Sequence, residues 1–263
     1  MEILFGLLLI VGGIGYTWWY VNRTQNTITE IQYMKTSTIA DAIALSEEML
    51  THDPEYHHYV ELKGQLHSDS AITAPYTEQA VAYYRNKCLA VYEETIVERD
   101  ANGNTRRRVV KKEREMASEE SSAPVYITDS SSGQKVFVDI QSFVGDCDFQ
   151  SGCDRFEPQG SAWGNRFQNS FHWSSYGNSR FLGYHLQEEI LYSNQPVYIL
   201  GELYKNGDNY YIGRSVVGKK PSKFSYKSED TLIQDMKSKK QASYLVGGLM
   251  ALFGLALVVM KIL

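Results

Sequence analysis

A chain of 263 residues has room for one large domain or two small ones, and 43% hydrophobic with 22% charged residues is an ordinary globular balance. A formal net charge of −5 argues against a dedicated nucleic-acid binder, which would be basic. Three cysteines are too few for a disulfide scaffold, and an odd number leaves at least one unpaired.

The average hides the two ends. Residues 3–21 and 242–260 carry no charge, and each approaches the length needed to cross a bilayer as a helix. The first lacks a basic region before it, and Trp18, Trp19 and Tyr20 stand where a signal peptide would place small residues. Those aromatics, with Arg23 just beyond, suit a membrane–water boundary, so the stretch reads as an uncleaved anchor. The expectation is an integral membrane protein with two spans, both termini on one side and a large domain on the other. Arg23, Lys237, Lys239 and Lys240 flank that domain, which by the positive-inside rule places it in the cytoplasm. The same three lysines are candidates for lipid headgroups.

Taken in order, residues 22–35 are polar without a sustained period and read as a linker. Ser37 or Thr38 is placed to cap a helix carrying Ile39, Ala42, Ile43 and Leu45, so 22–58 divides into linker and amphipathic helix. His52, His57 and His58 lie close together, but no fourth ligand stands at a recognisable spacing and no metal site is assigned. A β domain over 59–227 follows. Its first strand is 59–67. A hairpin pairs a strand at 88–95 with one at 105–115 through a type I′ turn at Asn102-Gly103, and two short strands lie at 124–128 and 134–140.

Arg106, Arg107, Arg108, Lys111, Lys112 and Arg114 form a basic cluster after that turn. With Glu93, Glu94, Glu98, Glu113 and Glu115 nearby and no interleaved aromatics, they read as a solvated hairpin arm rather than a nucleic-acid surface.

Residues 143–181 depart from this regularity, being rich in Gly, Ser, Asn and aromatics without a period. A long aromatic-rich loop of this kind is either a recognition surface or a plug over a barrel. Trp163, Phe167, Phe171, Trp173 and Tyr176 are its candidate contact residues. Cys147 and Cys153 stand among Asp146, Asp148 and Asp154, and a disulfide, a calcium loop and half a zinc site are the alternatives.

The strongest local signal is QPVYILGELYKNGDNYYIGRS at 195–215. Two apolar runs flank Asn206-Gly207, read as a type I′ turn that pairs Lys205 with Asp208 and Leu203 with Tyr210. Ile199, Gly201, Leu203, Tyr210 and Ile212 then share the core face. A short strand at 223–226 leads to a helix capped by Ser228, 228–241, which continues into the second span.

TSTIADA (36–42), VELKGQL (60–66), VFVDI (136–140), EEILYSNQPVYILGEL (188–203) and KSEDTLIQDMKSK (227–239), set between two anchors, resemble one family. This is the GIDE, or "beside a membrane", domain of membrane-anchored mitochondrial ubiquitin ligases and their bacterial relatives. The resemblance implies a two-anchor protein with a recognition domain beside the bilayer, facing the intermembrane space in the mitochondrial members. That is opposite to the side the lysines favour. In the eukaryotic ligases a zinc-binding RING follows the second span, whereas here only Lys261, Ile262 and Leu263 follow Met260. No set of eight Cys/His ligands for a RING is present, so ligase activity is not carried over.

No glycine-rich phosphate loop, G-x-S-x-G elbow or H-E-x-x-H pair occurs, and no catalytic residue or cofactor is assigned. The expected fold is α+β: a mainly antiparallel β domain, a small barrel of OB type, between two transmembrane helices. The expected role is a membrane-anchored binding or scaffold module. Its expected partners are membrane lipids and a protein that could be a second copy of the chain, with no nucleic acid. The alternatives are a ubiquitin-ligase-like component needing a RING from another chain, or a purely structural membrane protein.

Overall fold

The structure is a computed structural model; it describes residues 2–70, 72–99, 105–161, 179–217 and 219–262. It divides into two compact units, one of residues 1–65, 126–148 and 195–263, the other of 66–125 and 149–194.

The first unit is built on a barrel. Its strands are β2 (His58–Ser68), β7 (Val125–Thr128), β8 (Val136–Val138), β11 (Pro196–Asn206) and β12 (Asn209–Gly213). They pair in the order β2-β7-β8-β12-β11, and β11 returns to β2, which closes a ring of five strands. The β8–β12 pair is parallel, whereas β7–β8, β11–β12 and β2–β11 are antiparallel. In sequence order of the five, the ring reads first, second, third, fifth, fourth, the Greek-key order of an OB barrel.

Two short strands extend the ring at its margins. They are β1 (Thr36–Ser37), parallel to β2, and β13 (Lys223–Ser225), antiparallel to β11. Leu62, Ile127, Val136, Ile199, Leu203 and Ile212 are fully buried. Phe143, on a 3₁₀ turn at Ile140–Phe143, packs on Phe224 of β13 with ring centroids 6.2 Å apart. Strand β11 is buried on both faces, at every residue from Val197 to Leu203, because other elements of the unit also cover its outer side.

That outer cover comes from the helices. Helix α1 (Glu2–Tyr33) is 32 residues long and α3 (Glu229–Ile262) is 34, with α2 (Ile39–Leu50) between them in sequence. Ile31 of α1 and Leu232 of α3 bury against Tyr198 and Leu200 of β11. The expected linker at 22–35 is thus mostly helix. Thr24, Thr27, Ile28 and Ile31 recur at three- and four-residue spacing and are all buried, a stripe too short to recognise in a polar stretch.

Further out, the two helices pack on each other in opposite directions. A Cβ on Gly247 would collide with Thr17 Oγ1, and one on Gly6 would meet the Gly254 carbonyl at 2.8 Å. Small residues here allow close backbone approach. Both helices are long and apolar enough to cross a membrane. Thr38 caps α2 through Asp41 N, and Ser228 Oγ accepts from Thr231 N at the start of α3, as the sequence led us to expect.

The second unit is a four-stranded antiparallel sheet in the order β6-β5-β10-β9, with a small β3–β4 pair (Ile72–Thr73 and Ala80–Val81). Its strands are β5 (Tyr83–Arg99), β6 (Thr105–Glu120), β9 (Gln150–Pro158) and β10 (Ser179–Leu191). The β5–β6 arm is longer than the hairpin expected from the sequence, and its Asn102-Gly103 turn lies outside the described residues. Strand β9 corrects the reading of 143–181 as one irregular loop. Its residues show alternating burial but mix small, charged and aromatic side chains, which conceals a period of two.

Candidate functional site

The barrel's outer surface carries a row of rings across neighbouring strands. Tyr126 on β7 meets Phe137 on β8 at 5.9 Å, and Phe137 meets Tyr211 on β12 at 5.4 Å. Tyr211 meets Tyr204 on β11 at 5.9 Å, and His57 lies on Tyr204 at 5.4 Å. Register produces the row: Phe137 is directly opposite both Tyr126 and Tyr211, and Tyr211 is opposite Tyr204. Lys135 Nζ sits 4.1 Å above the Tyr126 ring. All five rings are half-buried. Aromatic rings held rigidly by their neighbours are the side chains that anchor binding surfaces. The sequence contains the signal, since 19 tyrosines include Tyr204 and Tyr211 flanking the turn, but alignment of the rings requires the register.

Two buried carboxylates organise the polar side of β2 and β11. Glu61 is 1% exposed and accepts from Tyr198 Oη at 2.7 Å, from the Thr36 hydroxyl and from Lys63 Nζ at 3.2 Å. Lys63 Nζ also reaches Glu229 Oε2 at 2.7 Å. Burial pulls the Lys63 pKa down, but its hydrogen bonds to Glu229 and Glu61 outweigh this and leave it raised. Burial, reinforced by Glu61, pushes the Tyr198 phenol far up, so it acts as a donor only. Beside this network Lys63, Tyr198, Tyr226, Lys227, Glu229 and Asp230 line a cavity of about 460 Å³.

Glu202 is the second, 3% exposed. It accepts from Ser215 Oγ at 2.6 Å and from Val216 N at 2.9 Å, so one carboxylate shapes the start of the loop after β12. Tyr59 Oη donates to the Pro221 carbonyl at 2.5 Å and fixes the other end. This loop carries Lys219 and Lys220 toward a cleft of about 300 Å³ that also involves Trp18, Trp19, Arg23, Asp146 and Arg214.

Of the residues singled out from the sequence, Trp163, Phe167, Phe171, Trp173 and Tyr176 lie outside the described residues. Lys237 and Lys239 are exposed on α3, and Lys240 donates to Gln25 of α1 at 2.8 Å. Of the two cysteines considered for a disulfide, Cys147 is partly buried. Cys153 points into a buried cluster with Cys88, Tyr76, Tyr184 and Leu186.

The histidine group separates, with His57 toward Glu202 at 3.4 Å and His58 half-buried beside Ala42 of α2. Among the described residues no group of three or more His, Cys, Asp or Glu is placed to hold a metal ion. The basic arm is laced across strands, Lys112 pairing with Glu94 and Lys87 with Glu115. Glu188 and Glu189 point to opposite faces. Glu188 accepts from Tyr76 N and Thr77 N, both at 2.8 Å, while Glu189 pairs with Arg85.

Fold and surface together define an α+β protein in which an OB-type barrel is carried between two apolar helices. The chain belongs to the GIDE family, described as E3 ubiquitin ligase, whose pattern matches residues 93–260. The TSTIADA and VELKGQL segments precede that span, and the match runs from the middle of β5 to the end of the apolar part of α3. No curated protein and no solved structure matches the chain.

Proposed function

We propose that the chain is a membrane-anchored recognition module that holds its barrel beside the bilayer and recruits a protein there. The observation that carries this reading is the aromatic row from Tyr126 to His57, a preorganised contact surface on a barrel whose two flanking helices are apolar enough to span. The outer sheet face is where OB barrels commonly bind. Trp163, Phe167, Phe171, Trp173 and Tyr176 are proposed to add to that contact, and Lys237, Lys239 and Lys240 to meet anionic headgroups.

A second reading follows from the family description: a ligase component that works with a RING from another chain. Full-length protein in nanodiscs, incubated with ubiquitin, its activating enzyme and conjugating enzymes, with and without an added RING-bearing chain, separates the two. The recognition reading expects no ubiquitin transfer by the chain alone. It also expects a client that is captured by wild type and lost from Tyr211→Gln and from a Trp163→Ala/Trp173→Ala variant. Transfer by the isolated chain, or transfer that requires the chain together with the added RING, would replace the recognition reading with the enzymatic one.

A further inference from the structure

The cleft at the foot of the barrel collects four cations from two parts of the first unit. Arg23 comes from α1, and Arg214, Lys219 and Lys220 come from the loop after β12. One carboxylate, Asp146, sits among them, 3.0 Å from Arg23 and 3.7 Å from Arg214, and keeps both guanidinium groups at the rim. Both side chains remain half exposed, at 51% and 49%.

The loop is not a casual strand of surface lysines. Its backbone is pinned by Glu202 at Val216, by Ser142 at Arg214 N, by Ser215 at Lys220 N and by Tyr59 at Pro221. Lys219 is held at φ +49°, a left-handed conformation that non-glycine residues rarely adopt. Lys220 Nζ is fixed 4.5 Å over the Tyr59 ring. The wall opposite is apolar and outward-facing, since Trp18 is 70% exposed and Trp19 50% exposed, with Arg23 over the Trp19 ring at 5.7 Å.

Paired tryptophans at the end of a charge-free helical stretch mark the headgroup level of a bilayer. Cations fixed at that level, above an aromatic floor, match an anionic phosphate whose acyl chains continue down the helix. We propose that this cleft binds the phosphate of an anionic phospholipid. The proposal rests on the reading of α1 as a membrane span.

The test uses the full-length chain in phosphatidylcholine vesicles doped with a photoactivatable anionic phospholipid. Adducts are mapped by mass spectrometry. Adducts at Trp18–Arg23 and at 214–222, competed by unlabelled anionic lipid and not by extra phosphatidylcholine, are expected. Lys219→Gln, Lys220→Gln and Arg214→Gln should each lower the yield there by about five-fold, as about 1 kcal/mol per juxtamembrane cation implies. Lys237→Gln/Lys239→Gln should leave those adducts in place.

Yield unaffected by the loop variants, or equal competition by phosphatidylcholine, would overturn the site. Competition by soluble glycerol phosphate at matched concentration would overturn the lipid assignment. Recovery of the chain apart from the vesicles would overturn the membrane reading itself, an outcome visible before any adduct is mapped.

Discussion

Tyr198 Oη donates to Glu61 Oε2 at 2.7 Å, and both side chains are withdrawn from solvent. They are diagonal neighbours on adjacent strands, Tyr198 facing Lys63 and Glu61 facing Leu200 in the β2–β11 register. A hydrogen bond to a buried charge is stronger than one between neutral groups. Tyr198→Phe should lower stability by about 2 kcal/mol, seen as a lower denaturation midpoint with unchanged slope. Glu61→Gln should cost at least as much, because Lys63 then keeps only Glu229 as an ionic partner.

The loop after β12 should loosen when its carboxylate is removed. Glu202→Ala strips Val216 N and Ser215 Oγ of their acceptor. Hydrogen exchange at 215–217 should accelerate by at least ten-fold while exchange in β2 and β11 stays slow. Uniform acceleration throughout the barrel would contradict so local a role.

His58 sets an acid limit. Burial lowers its pKa from 6.5, and a hydrogen bond with the Ala42 backbone only partly opposes this. A histidine with a depressed folded-state pKa contributes fully above its unfolded value. That contribution is lost as pH falls through the folded value, because the unfolded chain takes up the proton more readily. Stability should therefore decline as pH drops below about 6.5. His58→Gln should flatten that part of the profile while the rest of the curve keeps its shape.

Gly247 tests the helix pair. Any side chain there must displace Thr17, so Gly247→Leu should separate α1 from α3. Cysteines placed at Gly13 and Met250 should crosslink in the parent protein, and the yield should fall several-fold with Gly247→Leu.

The thiols differ in accessibility. Burial pushes Cys88 up to about 11 and raises Cys153 as well, so neither presents a thiolate at neutral pH. Alkylation of the native protein should leave both unmodified, and both should react after unfolding. A labelling experiment on the side of the membrane should therefore rely on Cys147, which is only partly buried.

The hairpin at 195–215 explains why the barrel was so readable and where the reading stopped. Asn206 pairs with Asn209, Lys205 with Tyr210 and Leu203 with Ile212, so the turn is Gly207-Asp208 rather than Asn206-Gly207. A type I′ turn needs positive φ at both central residues. Here Gly207 takes φ +61° and Asp208 does not turn positive, the pattern of a type II′ turn. Moving the turn by one residue shifts each cross-strand partner by two, which preserves the faces. Ile199, Gly201, Leu203, Tyr210 and Ile212 are accordingly buried as expected despite the different register.

Alternation and caps are local properties, which is why β2, α2 and α3 were visible in the sequence. Strand β9 and the second half of α1 take their order from distant neighbours: β9 pairs with β10, and Ile31 packs on Tyr198 and Leu200. The aromatic row and the cationic cleft were hidden for the same reason. Tyr126 and Tyr204 are 78 positions apart, and Arg23 and Lys220 nearly 200 apart, before the fold joins them.

Helix α1 passes from its apolar stretch to the barrel without a break, and α3 leaves it the same way. Ile31 and Leu232 pack on Tyr198 and Leu200 of β11, which couples both helices directly to the barrel. On the proposed membrane reading, a change in tilt of the helix pair, as a thinner bilayer would impose, would be delivered to the barrel as a rigid swing. Its aromatic row would then move along an arc toward or away from the lipid surface, making the angle of the pair a mechanical input to the proposed contact.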